Sequence, residues 1–172
     1  MNKNGSRTVS TILIVGVILA FLSLFYLSSK KQESSSGWVS PNGFLDPDSE
    51  WTDEANAYDG NETSFCWTLV PTYPAWTPYV YFTFASPISA SEITYKLKGI
   101  DVAPATFLID IDVSINGAWA TVFREYQSDY PEQWYNISFE AGVVSQIRLR
   151  CQSTYAEKYF GLSEIKLWKF GG

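Results

Sequence analysis

The sequence predicts an all-β domain, an antiparallel sandwich or barrel, behind one apolar N-terminal segment. Three observations predict it. From Glu92 onward the apolar residues recur with a period of two. Turn signals separate these runs at near-regular spacing. Aromatic residues reach 17% of the 172 residues, and charged residues also stop at 17%, below the usual quarter. That mixture suits pleated, half-buried surfaces. No stretch after residue 31 sustains a 3.6-residue pattern, and a chain of this length has room for about one core.

Residues 1–8 are short and basic, and Val9 to Leu27 follow as a nineteen-residue run whose polar members are Ser10, Thr11, Ser23 and Tyr26. At about 1.5 Å per residue, such a helix nearly spans a hydrocarbon core of about 30 Å. A cleaved signal peptide is the rival, but its apolar region is usually about 7 to 15 residues and ends in small residues of the Ala-x-Ala kind. "LFYLSSKK" offers no such site, so 9–27 is expected to be a retained transmembrane helix. Lys3 and Arg7 on one side and Lys30 and Lys31 on the other leave the positive-inside rule undecided. Residues 28–36, with "QESSSG", read as a Ser-rich linker. Beyond it, two cysteines and the N-x-[ST] sequons at Asn61 and Asn136 suit an extracellular domain over 37–172, on a cell or virion surface.

The overall charge of −6 hides a segregation: residues 1–31 carry four bases and no acid, leaving eight bases and eighteen acids beyond them. An acidic body repels phosphate backbones, which excludes a nucleic-acid partner.

Within the domain, "YVYFTFA" is apolar on both faces and reads as a central strand. "EITYKLKG" puts Ile93, Tyr95 and Leu97 on one face, and "TFLIDIDVSING" does the same with Phe107, Ile109, Ile111, Val113 and Ile115. "QWYNISFE" aligns Tyr135, Ile137 and Phe139, and "QIRLRCQS" aligns Ile147, Leu149 and Cys151. Asp110 and Asp112 fall on the opposite, wet face. Turns are expected at Asn42-Gly43, Asp59-Gly60, Asn116-Gly117 and the proline loops.

Four stretches in this order, "ANAYDGNETSFCW", "VYFTFASPISASEITYK", "IDVSINGAWATV" and "IRLRCQ" with "FGLSEIKLW", resemble the galactose-binding-like superfamily. Within it they are most similar to discoidin (coagulation-factor C-type) domains and family 32 carbohydrate-binding modules. The resemblance covers about residues 37 to 170. Asn116 stands where the family hairpin has Asp, Trp67 is shifted by one, and the paired terminal cysteines of discoidin domains are absent.

The resemblance implies a jelly-roll sandwich of about eight strands, often with a structural Ca2+ ion beside the first turn. Calcium takes six to eight oxygens, and Asp59, Asn61, Ser64 and Glu164 would supply them here. Asp59-Gly60 as a plain turn and Glu164 as a solvated charge is the alternative. Cys66 and Cys151 are both expected inside. A bridge would close a loop of roughly 85 residues and stabilise by about 4 to 5 kcal/mol on the chain-entropy model; two buried free thiols are the other possibility.

The chain has no histidine, no Gly-rich phosphate loop and no Cys-x-x-Cys. Nucleophile-base pairs and His-containing metal sites are thereby removed, and the chain is expected not to be an enzyme. Family modules bind through aromatic loops at one end. Here "PTYPAWTPY" offers Tyr73 and Trp76, "YQSDYPEQWY" offers Tyr130, and "STYAEKYFG" offers Tyr155 and Tyr159. Trp134 is expected to cap the core instead. Two function classes follow. One is a membrane-anchored recognition or adhesion module for a glycan or glycosylated partner. The other is an assembly protein, such as a minor envelope or capsid-associated protein or a filament subunit, packing against neighbouring subunits. The start "SRTVSTILIVGVILAFL" resembles archaeal pilin leaders.

Overall fold

Residues that alternate apolar and polar extend so that one face can leave water, and the strands follow that alternation. The computed structural model describes residues 35 to 171 apart from 72, 102, 154, 156 and 157. The expected anchor at 9–27 lies outside the described residues. Among the described residues no helix is long and apolar enough to cross a membrane.

Among the described residues nine strands form, where about eight were expected: β1 (Gly37–Val39), β2 (Gly43–Leu45), β3 (Trp51–Thr52), β4 (Cys66–Val70), β5 (Val80–Lys98), β6 (Thr106–Ile115), β7 (Ala118–Ser128), β8 (Trp134–Ser153) and β9 (Lys158–Lys169), with one 3₁₀ turn at Glu54–Ala57. They pair antiparallel in the order β3-β4-β9-β5-β8-β6-β7, with β1 added to β9 and β2 to β5. The architecture is jelly-roll-like. β5 is its long central member. Its first part, Val80–Thr83, lies between β2 and β8, whereas Glu92–Lys96 lies between β8 and β9. Register shifts between Thr83 and Ile88, and again between Ala90 and Glu92, separate the two parts. Such irregularities bend a strand. The sheet folds over itself, so that Phe107 of β6 meets Phe160 of β9 edge to face at 5.2 Å although two strands separate them in the order.

The enclosed core contains the residues the alternation selected: Ile93, Tyr95, Leu97, Phe107, Ile109, Ile111, Val113, Ile147, Leu149 and Cys151 are all buried, and Tyr135, Ile137 and Phe139 pack with them. Asn116 and Gly117 take positive φ values of 52° and 85° and close the β6–β7 hairpin, the conformation for which Asn-Gly is suited. Asn42-Gly43 is not a free turn; Gly43 opens β2, and the Asn42 amide donates to Thr83 O at 3.0 Å.

The opposite face of β6 corrects the expectation of a wet surface. Asp110 and Asp112 are 0% and 3% exposed. Arg124 and Arg150 donate to Asp110, Arg148 donates to Asp112, and the Tyr79 hydroxyl reaches Asp112 Oδ2 at 3.0 Å. An isolated carboxylate could not leave water so completely, and paired guanidinium groups make it possible.

Cys66 and Cys151 are fully buried and are free thiols in this structure. Thr77 Oγ1 lies 3.9 Å from the Cys151 sulfur and accepts the Cys151 amide at 3.0 Å. Burial pushes both thiols well above the ordinary range. The native protein is therefore expected to resist thiol reagents at mildly alkaline pH and to release two reactive thiols when denatured without reductant. Zero thiols on denaturation would instead demonstrate a bridge.

Candidate functional site

Strand register decides which loops meet. Thr106 at the start of β6 lies opposite Ser128 at the end of β7, and Phe107 lies opposite Ser153 at the end of β8. The connections that follow β5, β7 and β8 consequently leave the sheet at one end. Val70 opposite Lys158 brings the 71–79 loop to the same end. That loop is stitched down the edge of β8, with the Tyr73 amide donating to Ser153 O at 2.9 Å and the Thr77 amide donating to Cys151 O at 2.8 Å.

Between 99–105 and 129–133 the surface opens into a cleft of about 440 Å³ lined by Gly99, Asp101, Pro104, Asp129, Tyr130 and Glu132. Tyr130 is 66% exposed. Beside it, Asp129 Oδ1 accepts the Ala105 amide at 2.8 Å, while Asp129 Oδ2 is buried without a hydrogen-bond partner. Burial raises the Asp129 carboxyl, and Asp101 adds to the rise against the lowering effect of the Ala105 amide. Asp101 accepts the Tyr159 amide at 3.3 Å and faces Lys158 at 3.8 Å, and Glu132 pairs with Lys98 at 2.8 Å. The cleft thus combines a free aromatic ring with fixed carboxylate acceptors. A ring can cover the C–H face of a sugar while acceptors take its hydroxyls.

The five expected ligand residues separate. Tyr130 lines the cleft. Tyr73 and Tyr155 are both exposed and share Ser153 as their anchor, the Tyr155 amide donating to Ser153 Oγ at 3.1 Å. Tyr159 turns away, edge-on to Trp67 at 5.5 Å in a recess with Phe65 and Ile100. Trp76 is half-buried, lying against the Arg150 guanidinium at 4.5 Å. Trp134 does not cap the core: it lies on the outer face over Lys166 Nζ at 4.9 Å, lining a groove with Trp38, Thr94 and Asn136. Asp101, Asp129 and Glu132 were not anticipated. Their only sequence signal was acidic residues beside the glycine and proline of loops that close strands.

The first turn bears on the cation expected there. Gly60 has φ 80°. Asp59 Oδ1 accepts the Asn61 amide at 2.7 Å, and Ser64 Oγ lies 2.7 Å from both Asp59 Oδ2 and Asn61 O. In β9 a register shift sets Lys96 opposite Glu164 and Leu97 opposite Leu162, passing over Ser163. That bulge returns Ile165 to the core and leaves Glu164 on the other face with Lys96 and Lys166, where it is nonetheless 0% exposed, with neither carboxylate oxygen hydrogen-bonded. It is therefore not the solvated charge of the alternative reading. Lys166 Nζ stands 3.4 Å away as its ion pair. Burial raises the Glu164 carboxyl, opposed by Lys166 and the Gly60 amide, with Asp59 adding repulsion. No cluster of three or more His, Cys, Asp or Glu side chains occurs among the described residues. A cation here would therefore draw on two carboxylates and neutral oxygens, a hard set suited to calcium. The sequon residues Asn61 and Asn136 are both exposed.

No family model matches the chain and no curated protein does. Solved structures match, and the neighbours are carbohydrate-binding modules. The CBM32 of AlyQ, in complex with 4,5-unsaturated mannuronic acid, gives a TM-score of 0.58 at 15% identity over 77% of this chain and 98% of that one. CpGH89CBM32-4, produced by Clostridium perfringens and in complex with glcNAc-alpha-1,4-galactose, gives 0.54 at 16% identity over 78% and 96%. A pectin-binding carbohydrate-binding module gives 0.52 at 15% identity over 79% and 90%. The chain shares the fold of these modules.

The position of Trp76 makes a stability prediction. Trp76→Ala is expected to cost about 1 kcal/mol in denaturant unfolding, the worth of a partly desolvated cation–π contact. A loss of roughly 3 to 5 kcal/mol would mean that the ring is core.

Proposed function

We propose that the chain is a non-catalytic carbohydrate-recognition module whose ligand site is the cleft between 99–105 and 129–133. The observation that carries this reading is the exposed Tyr130 ring on a cleft that Asp129 also lines, with Asp129 Oδ2 left without a hydrogen-bond partner. Tyr73 and Tyr155 extend the aromatic surface at the same end. The likeness to modules solved with bound saccharides supports the class of ligand. Recognition rather than catalysis is supported by Asp110 and Asp112, the obvious carboxylate pair, being tied up by arginines. The apolar run 9–27 and its basic flanks support display of the module on a membrane, with the domain outside.

The full chain, applied to a glycan array, is expected to select a saccharide, and titration calorimetry with that saccharide then tests the site. Tyr130→Ala should weaken binding at least about tenfold while changing stability by less than about 0.5 kcal/mol, as for an exposed position. An array without a hit, or undiminished binding by Tyr130→Ala, would contradict the assignment.

We also propose that Asp59, Asn61, Ser64 and Glu164 hold a structural calcium ion, which would neutralise the buried Glu164 and tie the first turn to β9. A ligand that binds only the native state raises its melting temperature, so chelation should lower the midpoint of the full chain. The raised Glu164 carboxyl gives the effect a sign with pH. Without the ion, stability increases as pH falls through its raised range, because the native state takes up the proton more readily. With the ion bound, protonation competes with binding, so the calcium increment should be larger at neutral than at acidic pH. Glu164→Gln should abolish the increment and stabilise the calcium-free protein. Identical melting with calcium and with chelator would remove the ion from the account.

A further inference from the structure

The outer face of β8 and its neighbours carries an ordered stack that the cleft does not use. Trp119, Arg148, Tyr79, Arg150 and Trp76 alternate along it, with ring-to-guanidinium separations of 4.4, 4.2, 4.5 and 4.5 Å. Arg148 and Arg150 stand on one face of the strand, about 7 Å apart at the usual rise. Beneath them lie Asp112 and Asp110, held by Arg148 Nε at 2.8 Å and Arg150 Nε at 2.9 Å. Arg124, half-exposed, closes on Asp110 from β7 with Nε at 3.1 Å. A groove of about 470 Å³ runs along the Trp76 end, walled by Pro47, Asp48, Pro78 and Tyr81.

This layering restricts what can bind. Both flat faces of each stacked guanidinium are covered by rings, and the edge toward the sheet is taken by an aspartate. The remaining edge offers in-plane N–H donors, the fork that fits a carboxylate. The two aspartates are screened from the surface, so apart from Asp48 at one rim the outermost charges are cationic. In a body with eight bases and eighteen acids that is a local inversion of sign. Flanking rings, with Trp119 39% and Tyr126 52% exposed, offer flat apolar area beside the donors. Around Arg148, β8 is paired on both sides by β5 and β6, so the stacked guanidiniums border no free strand edge for an extended peptide; β7, which carries Trp119 and Arg124, ends the strand order.

We propose that this face is a second binding site, distinct from the loop-end cleft, for a polysaccharide bearing carboxylates along its chain. Arg124, Arg148 and Arg150 bind the carboxylates, and Trp119 and Trp76 cover the sugar rings.

The test measures binding of the full chain to three probes: a β-linked glucuronate hexamer, the matching glucose hexamer and a hexaglutamate peptide. The glucuronate hexamer alone is expected to bind, with affinity falling as salt rises from about 0.05 to about 0.5 M through charge screening. Arg124→Gln should weaken it about tenfold, and Arg124→Lys should restore only part of the loss, since an ammonium keeps the charge without the fork. Trp119→Ala should also weaken it. Circular dichroism should show each variant folded; Asp110 keeps Arg150 and the face stays assembled without Arg124. Tyr130→Ala should leave this binding unchanged, which separates it from the cleft. Equal binding of the glucose hexamer, equal binding of hexaglutamate, no binding of the glucuronate hexamer, or unaffected Arg124 and Trp119 variants would each overturn the proposal.

Discussion

The structure depends on one strand serving two neighbourhoods. β5 pairs with β2 and β8 near its start and with β8 and β9 near its end, and every other placement follows from that division. Because Val80 lies opposite Leu149 and Lys98 opposite Gly161, the connections leaving β5 and β8 emerge together with the one leaving β7. A slip of one residue would exchange the buried and exposed faces of the whole strand. Tyr95 and Phe82, both fully buried, would then face water. The apolar alternation that builds the core is thus also what brings loops distant in sequence to a single cleft.

The molecule handles polar groups differently on its several surfaces. On the outer face of β6 and β8, carboxylates leave water because guanidinium groups accompany them, and rings then cover the guanidiniums. At the loop end, Asp129 keeps one oxygen satisfied by Ala105 and one free. Beside the first turn, Glu164 has neither oxygen hydrogen-bonded. Unsatisfied buried carboxylate oxygens are costly, and under the proposed function a sugar hydroxyl would offset that cost at the first place and a cation at the second.

The core faces were legible because period two is a property of the strand itself. Ile109, Ile111, Leu149 and Cys151 needed no knowledge of their neighbours. What was not legible depends on partners remote in sequence. Asp110 and Asp112 read as solvent-facing, since the arginines that bury them come from β7 and β8, up to forty residues away. Trp134 read as a core cap, but Tyr135 takes the inward position, stacked on Tyr95 at 5.3 Å, and places Trp134 outside. Tyr130 was visible as an aromatic loop residue, yet the acids beside it become a site only when the 99–105 loop arrives. Glu164 was singled out by a family resemblance; the bulge that sets its face, and its burial beside the first turn, cannot be seen in local patterning.

The central claim is that register gathers a recognition cleft at the end where β6 begins and β7 and β8 turn. Amide chemical shifts of isotopically labelled full-length protein, titrated with a panel of neutral mono- and disaccharides, test it most directly. The account predicts that at least one sugar moves the resonances of Gly99, Asp101, Ala105, Asp129 and Glu132 together, with those of the Asn116-Gly117 hairpin at the opposite end unmoved. Shifts centred on the Trp38 and Trp134 groove with a silent cleft, or no shifts with any sugar, would contradict it.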